Sequence, residues 1–239
     1  PPPMKADLVW VWPVAATVGL TGLLAKHDRW LAGAGAAVAG VVLLILRGRE
    51  LIDRLTELAI SRPSGPIGRI LYRDATSMHG EGWRVCPERL ALQPEDHLLA
   101  VGCGGGTFLS QARETVDRAA GLDHSPDMVA LTEENNARAK AEGRLDVRLG
   151  DAAELPWEDA TFDAESNLAA LFFAADPPAV VREADRVLKP GGRFVVVTFP
   201  KPKREDLGTR VMGWFLHRAK LYSDKELAHL LRVAGFDAV

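Results

Sequence analysis

The chain is short of several things, and each shortage removes a class of function. It has two cysteines in 239 residues. Cys86 and Cys103 do not make a metal-binding spacing. A disulfide is not expected either: Cys103 sits inside a run of glycines, where pairing would disturb the turn, so a reduced, intracellular setting follows. A large excess of charge of one sign is also lacking. Lys and Arg number 29 against 32 Asp and Glu, a net of −3, which gives nucleic acid no basic footprint to hold. Internal repeats are missing. Two stretches lack charge altogether, Leu8 to Leu24 and Leu31 to Leu46.

Those two uncharged stretches are about 16–17 residues each, near the short end of what spans a bilayer. Trp10, Trp12 and Trp30 lie near their ends, as interfacial aromatics do. A charged turn, Lys26-His27-Asp28-Arg29, separates them. The second stretch is rich in Gly and Ala from Gly33 to Gly40, and small residues let helices approach closely. The expectation is a transmembrane helical hairpin in residues 1–46, with spans 8–24 and 30–46, and membrane lipid as its partner. A signal peptide would have a single apolar region and a cleavage site. Buried soluble helices, or a hairpin dipping into one leaflet, would also suit segments this short. Pro13 is tolerable near a helix start. Lys5, Arg47, Arg49 and Arg54 on the outer flanks outweigh Lys26 and Arg29 in the turn, which places the rest of the chain in the cytoplasm. Residues 47–69 then read as an amphipathic helix (Leu51, Leu55, Leu58) and a turn-rich linker with Pro63, Gly65, Pro66 and Gly68. Residues 70–239 are a normal size for one α/β domain.

Within that domain, Leu98-Leu99-Ala100-Val101 runs straight into Gly102-Cys103-Gly104-Gly105-Gly106. This reads as a buried strand, a glycine turn and a helix start. Glycine lets backbone approach a ligand where a Cβ would block it. A nucleotide-like cofactor is the natural occupant. The dinucleotide pattern G-x-G-x-x-G fails, because Thr107 stands where its third glycine belongs. The spacing is G-x-G-x-G at Gly102, Gly104 and Gly106. Gly121-Leu122-Asp123 ends a second apolar segment, and an acid there can accept from ribose hydroxyls. Ser125-Pro126 looks like a helix cap and first turn. Val147 to Ala152, Phe162 to Leu168, and Val187 to Phe199 supply three more strand-and-turn segments. Taken singly, an Asp after a strand is usually a solvated turn residue.

Taken in order, these motifs resemble the class I S-adenosylmethionine-dependent methyltransferases, in the type 11 subgroup that includes quinone and small-molecule methylases. The resemblance covers Pro87 to Val239, about two thirds of the chain. It implies a Rossmann-like α/β fold with a seven-stranded sheet, here preceded by two hydrophobic helices. Ala234-Gly235-Phe236 would begin the sixth strand; the seventh is either cut off after Val239 or missing, and in the second case an open edge follows. It also implies S-adenosylmethionine as cofactor, held by Val101, Gly102, Cys103, Gly104 and Gly106 at the turn. Asp123 with His124 would hold the ribose, Asp151 with Ala152 the adenine side, and Asn167 the end of the fourth strand. No catalytic group is implied; Tyr72, His79 and Glu81 are candidates for a general base if one is needed. Lys201 to Lys220 is placed to cover a substrate. One departure stands out: Ala100 occupies a place where the family usually has Asp or Glu. Two functional readings follow. The first is a membrane-anchored methyltransferase for a lipophilic small molecule. The second is a noncatalytic cofactor-binding or scaffold protein at the membrane. A nicotinamide-dependent oxidoreductase is disfavoured by Thr107.

Overall fold

Short strands, each closed by a turn, make the sheet. They are β1 (His97–Val101), β2 (Arg118–Asp123), β3 (Leu145–Leu149), β4 (Phe162–Leu168) and β5 (Leu188–Val197). Strand β1 is an apolar run, whereas β3 and β4 carry polar residues within them. The computed structural model describes residues 47, 48, 50, 54, 62–72, 86–168, 170–198, 201 and 219–237. The chain divides into two compact units, Pro1–Leu55 and Thr56–Val239, and the sheet belongs to the second.

The strands pair in the order β3-β2-β1-β4-β5, and every pairing is parallel. Parallel neighbours need crossovers, and helices supply them. The helices are α1 (Gly65–Tyr72), α2 (Thr107–Ala112), α3 (Pro126–Asn135), α4 (Ala137–Ala141), α5 (Pro177–Val187) and α6 (Asp224–Val233). One face of the sheet packs Leu98, Ala100 and Ala164 against Phe108, Leu109 and Ala112 of α2. The other packs Leu99, Val101 and Phe162 with Leu155 and Val187 of α5, and Phe194 with α5 and α6. The chain leaves β1 toward β2 and β3, then returns to β4 on β1's other side. That reversal puts the topological switch point at the carboxyl ends of β1 and β4, the place where ligands of such sheets bind.

Several expectations change here. The resemblance implied seven strands, and the described residues hold five. Ala234 to Asp237 form no strand. Gly235, at φ 114°, turns the chain after α6, and Phe236 stacks on Phe194 with ring centroids 5.1 Å apart. The linker also contains structure: Gly65–Tyr72 is helical. Its Pro66 lies in the first turn, where a missing N–H costs nothing. Strand β5 begins at Leu188 and loops out over Lys189 to Gly192 before pairing resumes at Arg193. The two hydrophobic spans, most of the amphipathic segment Glu50 to Ile60, His79 and Glu81 lie outside the described residues. Among the described residues, no helix is long and apolar enough to cross a membrane.

Candidate functional site

The glycine turn is built by β2. Leu122 O accepts from both Gly102 N (2.8 Å) and Cys103 N (3.0 Å), which folds the chain back as it leaves β1. Gly102, Gly104 and Gly106 all have positive φ (69°, 54° and 79°), a region that side chains resist. A Cβ on Gly102 would stand 2.4 Å from the Ala170 Cβ. The loops after β1 and β4 therefore meet at this point.

Asp123 ties the turn to the end of β2. Its Oδ2 accepts from Gly104 N (2.9 Å) and its Oδ1 from Ser125 N (2.9 Å). Burial pushes its carboxyl up, and the backbone N–H groups of Ser125, Gly104 and His124, with the His124 charge, oppose that shift. A carboxylate oxygen can accept more than one hydrogen bond, so acceptor capacity remains on both. His124 is exposed, with Nδ1 3.9 Å from Asp123 Oδ1. Gly150 N donates to Asp123 O (3.1 Å), which brings the loop after β3 alongside. There Asp151 is exposed; its Oδ1 accepts from Ala153 N (2.9 Å). Ala152 is half-buried against α5 and the core.

Three of the predicted residues act from beneath. Val101 is core. Asn167 is fully buried; its Oδ1 accepts from Leu171 N (2.8 Å), and its Nδ2 has no partner among the described residues. Cys103 points inward, its Sγ 3.6 Å from Thr132 Oγ1. Burial pushes that thiol well up, so it is not a nucleophile. Ala100 is packed in the core against the α2 side.

The residues that aim the turn's peptide groups lie on α3 and at its C-terminal cap, Asn136, and the motif reading missed them. Thr132 Oγ1 donates to Gly104 O (2.6 Å), Asn135 Nδ2 to Gly105 O (2.8 Å), and Asn136 Nδ2 to Gly106 O (3.4 Å). The turn's carbonyls are thus drawn toward α3. A polar trio at helical spacing on the helix after an acid was the available signal.

Helix α1 lies on α3 and reaches the same turn. Ser125 Oγ donates to Pro63 O (2.5 Å), Gly65 N donates to Asp127 Oδ2 (2.7 Å), and Arg69 pairs with Glu134 (2.5 Å). Ser125 sits at the N-cap of α3, but its hydroxyl serves α1 rather than capping. The Tyr72 ring lies against Gly104. A Cβ on Gly105 would fall 2.1 Å from Tyr72 O, so Gly105 is required by this contact and lies outside the G-x-G-x-G pattern. Burial, then Asp123, pushes the Tyr72 hydroxyl up to about 12. It keeps its proton at neutral pH and can donate a hydrogen bond. In the segment Lys201 to Lys220 the described ends are held: Lys201 N donates to Tyr222 O (3.0 Å), and Lys220 N to Phe172 O (2.7 Å).

The site therefore offers a turn of positive-φ glycines packed against Ala170, Tyr72 and Thr132, an acid at the end of β2 with acceptor capacity to spare, and an exposed acid after β3. The comparisons with known proteins decide what it belongs to. Residues 99–196 match the methyltransferase domain family. A demethylmenaquinone methyltransferase of Deinococcus radiodurans is 36% identical over 190 residues, 77% of this chain and 68% of that protein. The chain belongs to the S-adenosylmethionine-dependent methyltransferases. Another relative, the sterol 4-C-methyltransferase of Caenorhabditis elegans, is 29% identical over 50% of this chain and 36% of its own length. Among solved structures, a Haloferax volcanii putative methyltransferase in complex with the Trm112 activator is 26% identical, with a TM-score of 0.58 over 70% of this chain and 74% of that one. The [4+2]-cyclase SpnF is 29% identical, with a TM-score of 0.57 over 66% of this chain and 57% of that one. This methyltransferase chain spans about half the length of most of the curated relatives it matches. The family's cofactor is S-adenosylmethionine, and the residues present fit it: a buried carboxylate at the end of β2, each oxygen accepting one backbone N–H and keeping capacity for another, beside a turn of positive-φ glycines.

Proposed function

We propose that this chain is a membrane-anchored methyltransferase that moves a methyl group from S-adenosylmethionine to a lipophilic small-molecule acceptor, with the methyltransferase domain on the cytoplasmic side. What carries the reading is the juxtaposition of the Gly102–Gly106 turn with Asp123, whose Oδ2 is 2.9 Å from Gly104 N. The lipophilic acceptor is supported by relatives whose names specify demethylmenaquinone and a sterol, and by the two uncharged N-terminal runs.

In this reading the turn residues Val101, Gly102, Cys103, Gly104 and Gly106 give backbone close approach. Asp123 accepts the ribose hydroxyls, with His124 beside it, and Asp151 with Ala152 lines the adenine side. Asn167 supports the switch point from the end of β4. The bound cofactor supplies an activated methyl on a sulfonium, and transfer leaves a thioether. The protein's contribution is then chiefly to hold two reactants in line and exclude water. An acceptor that loses a proton on methylation must pass it to a base or to water.

The test is mass spectrometry of lipid extracts from cells with and without the protein, fed methyl-labelled methionine. The reading expects a labelled lipophilic product that depends on the protein and disappears with Asp123→Ala. A second reading, a noncatalytic cofactor-binding or scaffold protein at the membrane, is favoured by Ala100. It expects cofactor binding with no labelled product.

A further inference from the structure

Five hydrogen bonds leave one guanidinium on α5, far along the chain from the glycine turn. Arg186 Nε donates to Glu183 Oε1 (2.7 Å), and Nη2 donates to Glu183 Oε2 (2.7 Å) and Leu155 O (3.0 Å); Nη1 donates to Trp157 O (2.9 Å) and Asp159 Oδ1 (2.8 Å). Every N–H that an arginine possesses is used. Glu183 Oε2 also accepts from Leu155 N (2.7 Å). Leu155 is therefore held by both its N–H and its carbonyl, and its side chain is buried in the core with Val101 and Leu122. Arg186 holds Glu183 below the usual carboxylate range, and Glu183 and Asp159 raise the arginine, so both groups stay charged.

What this clamp holds is the loop that carries Asp151. Asp151 and Glu154 form an antiparallel bridge, closed by Glu154 N donating to Asp151 O (3.1 Å) and by Ala153 N donating to Asp151 Oδ1 (2.9 Å). Leu155 follows directly. The far arm is fastened again at Trp157, whose Nε1 donates to Asp146 Oδ2 (3.1 Å) and whose ring lies 4.7 Å from the Arg148 guanidinium. Asp151 itself is exposed, so its position depends on the turn behind it.

We infer that Glu183 and Arg186 are positioning residues for cofactor recognition: they set the place of Asp151 by clamping Leu155, Trp157 and Asp159. The inference rests on the proposed function, in which Asp151 lines the adenine side, and adds that its carboxylate faces the exocyclic amino group. A carboxylate there accepts from that amino group and repels the carbonyl oxygen that replaces it in an inosine base. The clamp's contribution is therefore a discrimination between two ligands, which a loss of general stability does not move.

The experiment measures dissociation constants of S-adenosylhomocysteine and S-inosylhomocysteine for the full chain by calorimetry. The variants are Arg186→Lys, Glu183→Gln and Asp151→Ala, each with a thermal melt. The wild type should prefer the adenine ligand by roughly tenfold or more, and Asp151→Ala should bring the ratio near one. Arg186→Lys and Glu183→Gln should both lower the ratio toward the Asp151→Ala value. Glu183→Gln keeps the side chain's shape and decides the matter if Arg186→Lys does not fold. Wild-type selectivity retained in both clamp variants overturns the inference and leaves the cofactor reading standing. A wild type with no selectivity, or one that binds neither ligand, overturns the Asp151 reading and the inference with it.

Discussion

Asp123 serves the turn before it serves any ligand, because both of its oxygens already accept backbone N–H groups. Asp123→Ala should therefore lower the melting temperature as well as cofactor affinity, at about 1.5–3 kcal/mol for each hydrogen bond to the charged group. Asp123→Asn should lose less stability yet still weaken S-adenosylhomocysteine binding by roughly tenfold. A lowered melting point with an unchanged dissociation constant would confine Asp123 to holding the turn. Gly104→Val does not give a clean steric test of the cofactor site, because its new Cβ would first meet the Tyr72 ring at 3.3 Å. Glu165 raises a separate question. It lies fully buried on β4, paired with Leu99 and Phe194 across the sheet, and neither carboxyl oxygen has a partner among the described residues. Burial, then Glu183, pushes its carboxyl well up. A carboxyl whose folded pKa is raised binds more protons in the native state, so stability falls as pH rises from the ordinary glutamate range to the folded value. The slope is about 1.4 kcal/mol per pH unit. Glu165→Val should melt close to the wild type at low pH and increasingly above it as pH rises. A constant difference across pH would contradict a protonated Glu165.

Helix α1 is joined to α3 by three polar contacts and to the glycine turn by Tyr72, so the elements should loosen together. Ser125→Ala with Asp127→Ala removes the contacts to Pro63 O and Gly65 N. Hydrogen exchange should then rise across amides 65–72 while the amides of β1 and β4 stay protected. Unchanged exchange in α1 would mean those contacts do not hold it. Gly105→Ala should produce the same loosening through its clash with Tyr72 O. The central strand was legible in the sequence because a buried parallel strand reads as an unbroken apolar run ending in a turn. Leu98 to Val101 and the Gly-rich turn show this. Strands β3 (LDVRL) and β4 (FDAESNL) were instead placed by the order of motifs. Helix α1 was not legible. Gly65, Pro66 and Gly68 read as breakers, yet Pro66 suits a first turn. Gly68 is small because Pro63 packs on it: a Cβ there would stand only 2.9 Å from Pro63 C. Thr132, Asn135 and Asn136 were also missed. Their partners are backbone carbonyls, so the sequence offered only their own polar spacing and nothing on the turn's side to match it. The clamp of Glu183 and Arg186 joins positions about thirty residues away from it in the chain, beyond the reach of any local pattern.

For the molecule as a whole, the sheet and the glycine turn lie in the unit Thr56–Val239, and the uncharged runs lie before it. Removing residues 1–46 should leave a domain that binds cofactor as the full chain does. Turnover of an acceptor held in a bilayer should fall, since anchoring raises local concentration, while turnover of a detergent-dispersed acceptor should hold. If the shortened chain loses cofactor binding, the first 46 residues belong to the fold of the site. Everything else depends on a narrower point: the turn and Asp123 bind S-adenosylmethionine and not a dinucleotide. The decisive measurement is calorimetric titration of the full chain, once with S-adenosylmethionine and once with reduced nicotinamide dinucleotide. One saturable site for S-adenosylmethionine is expected, weakened in Asp123→Asn, with no heat of binding from the dinucleotide. Dinucleotide binding, or no response to S-adenosylmethionine, would show that the turn and Asp123 do not form this cofactor's site.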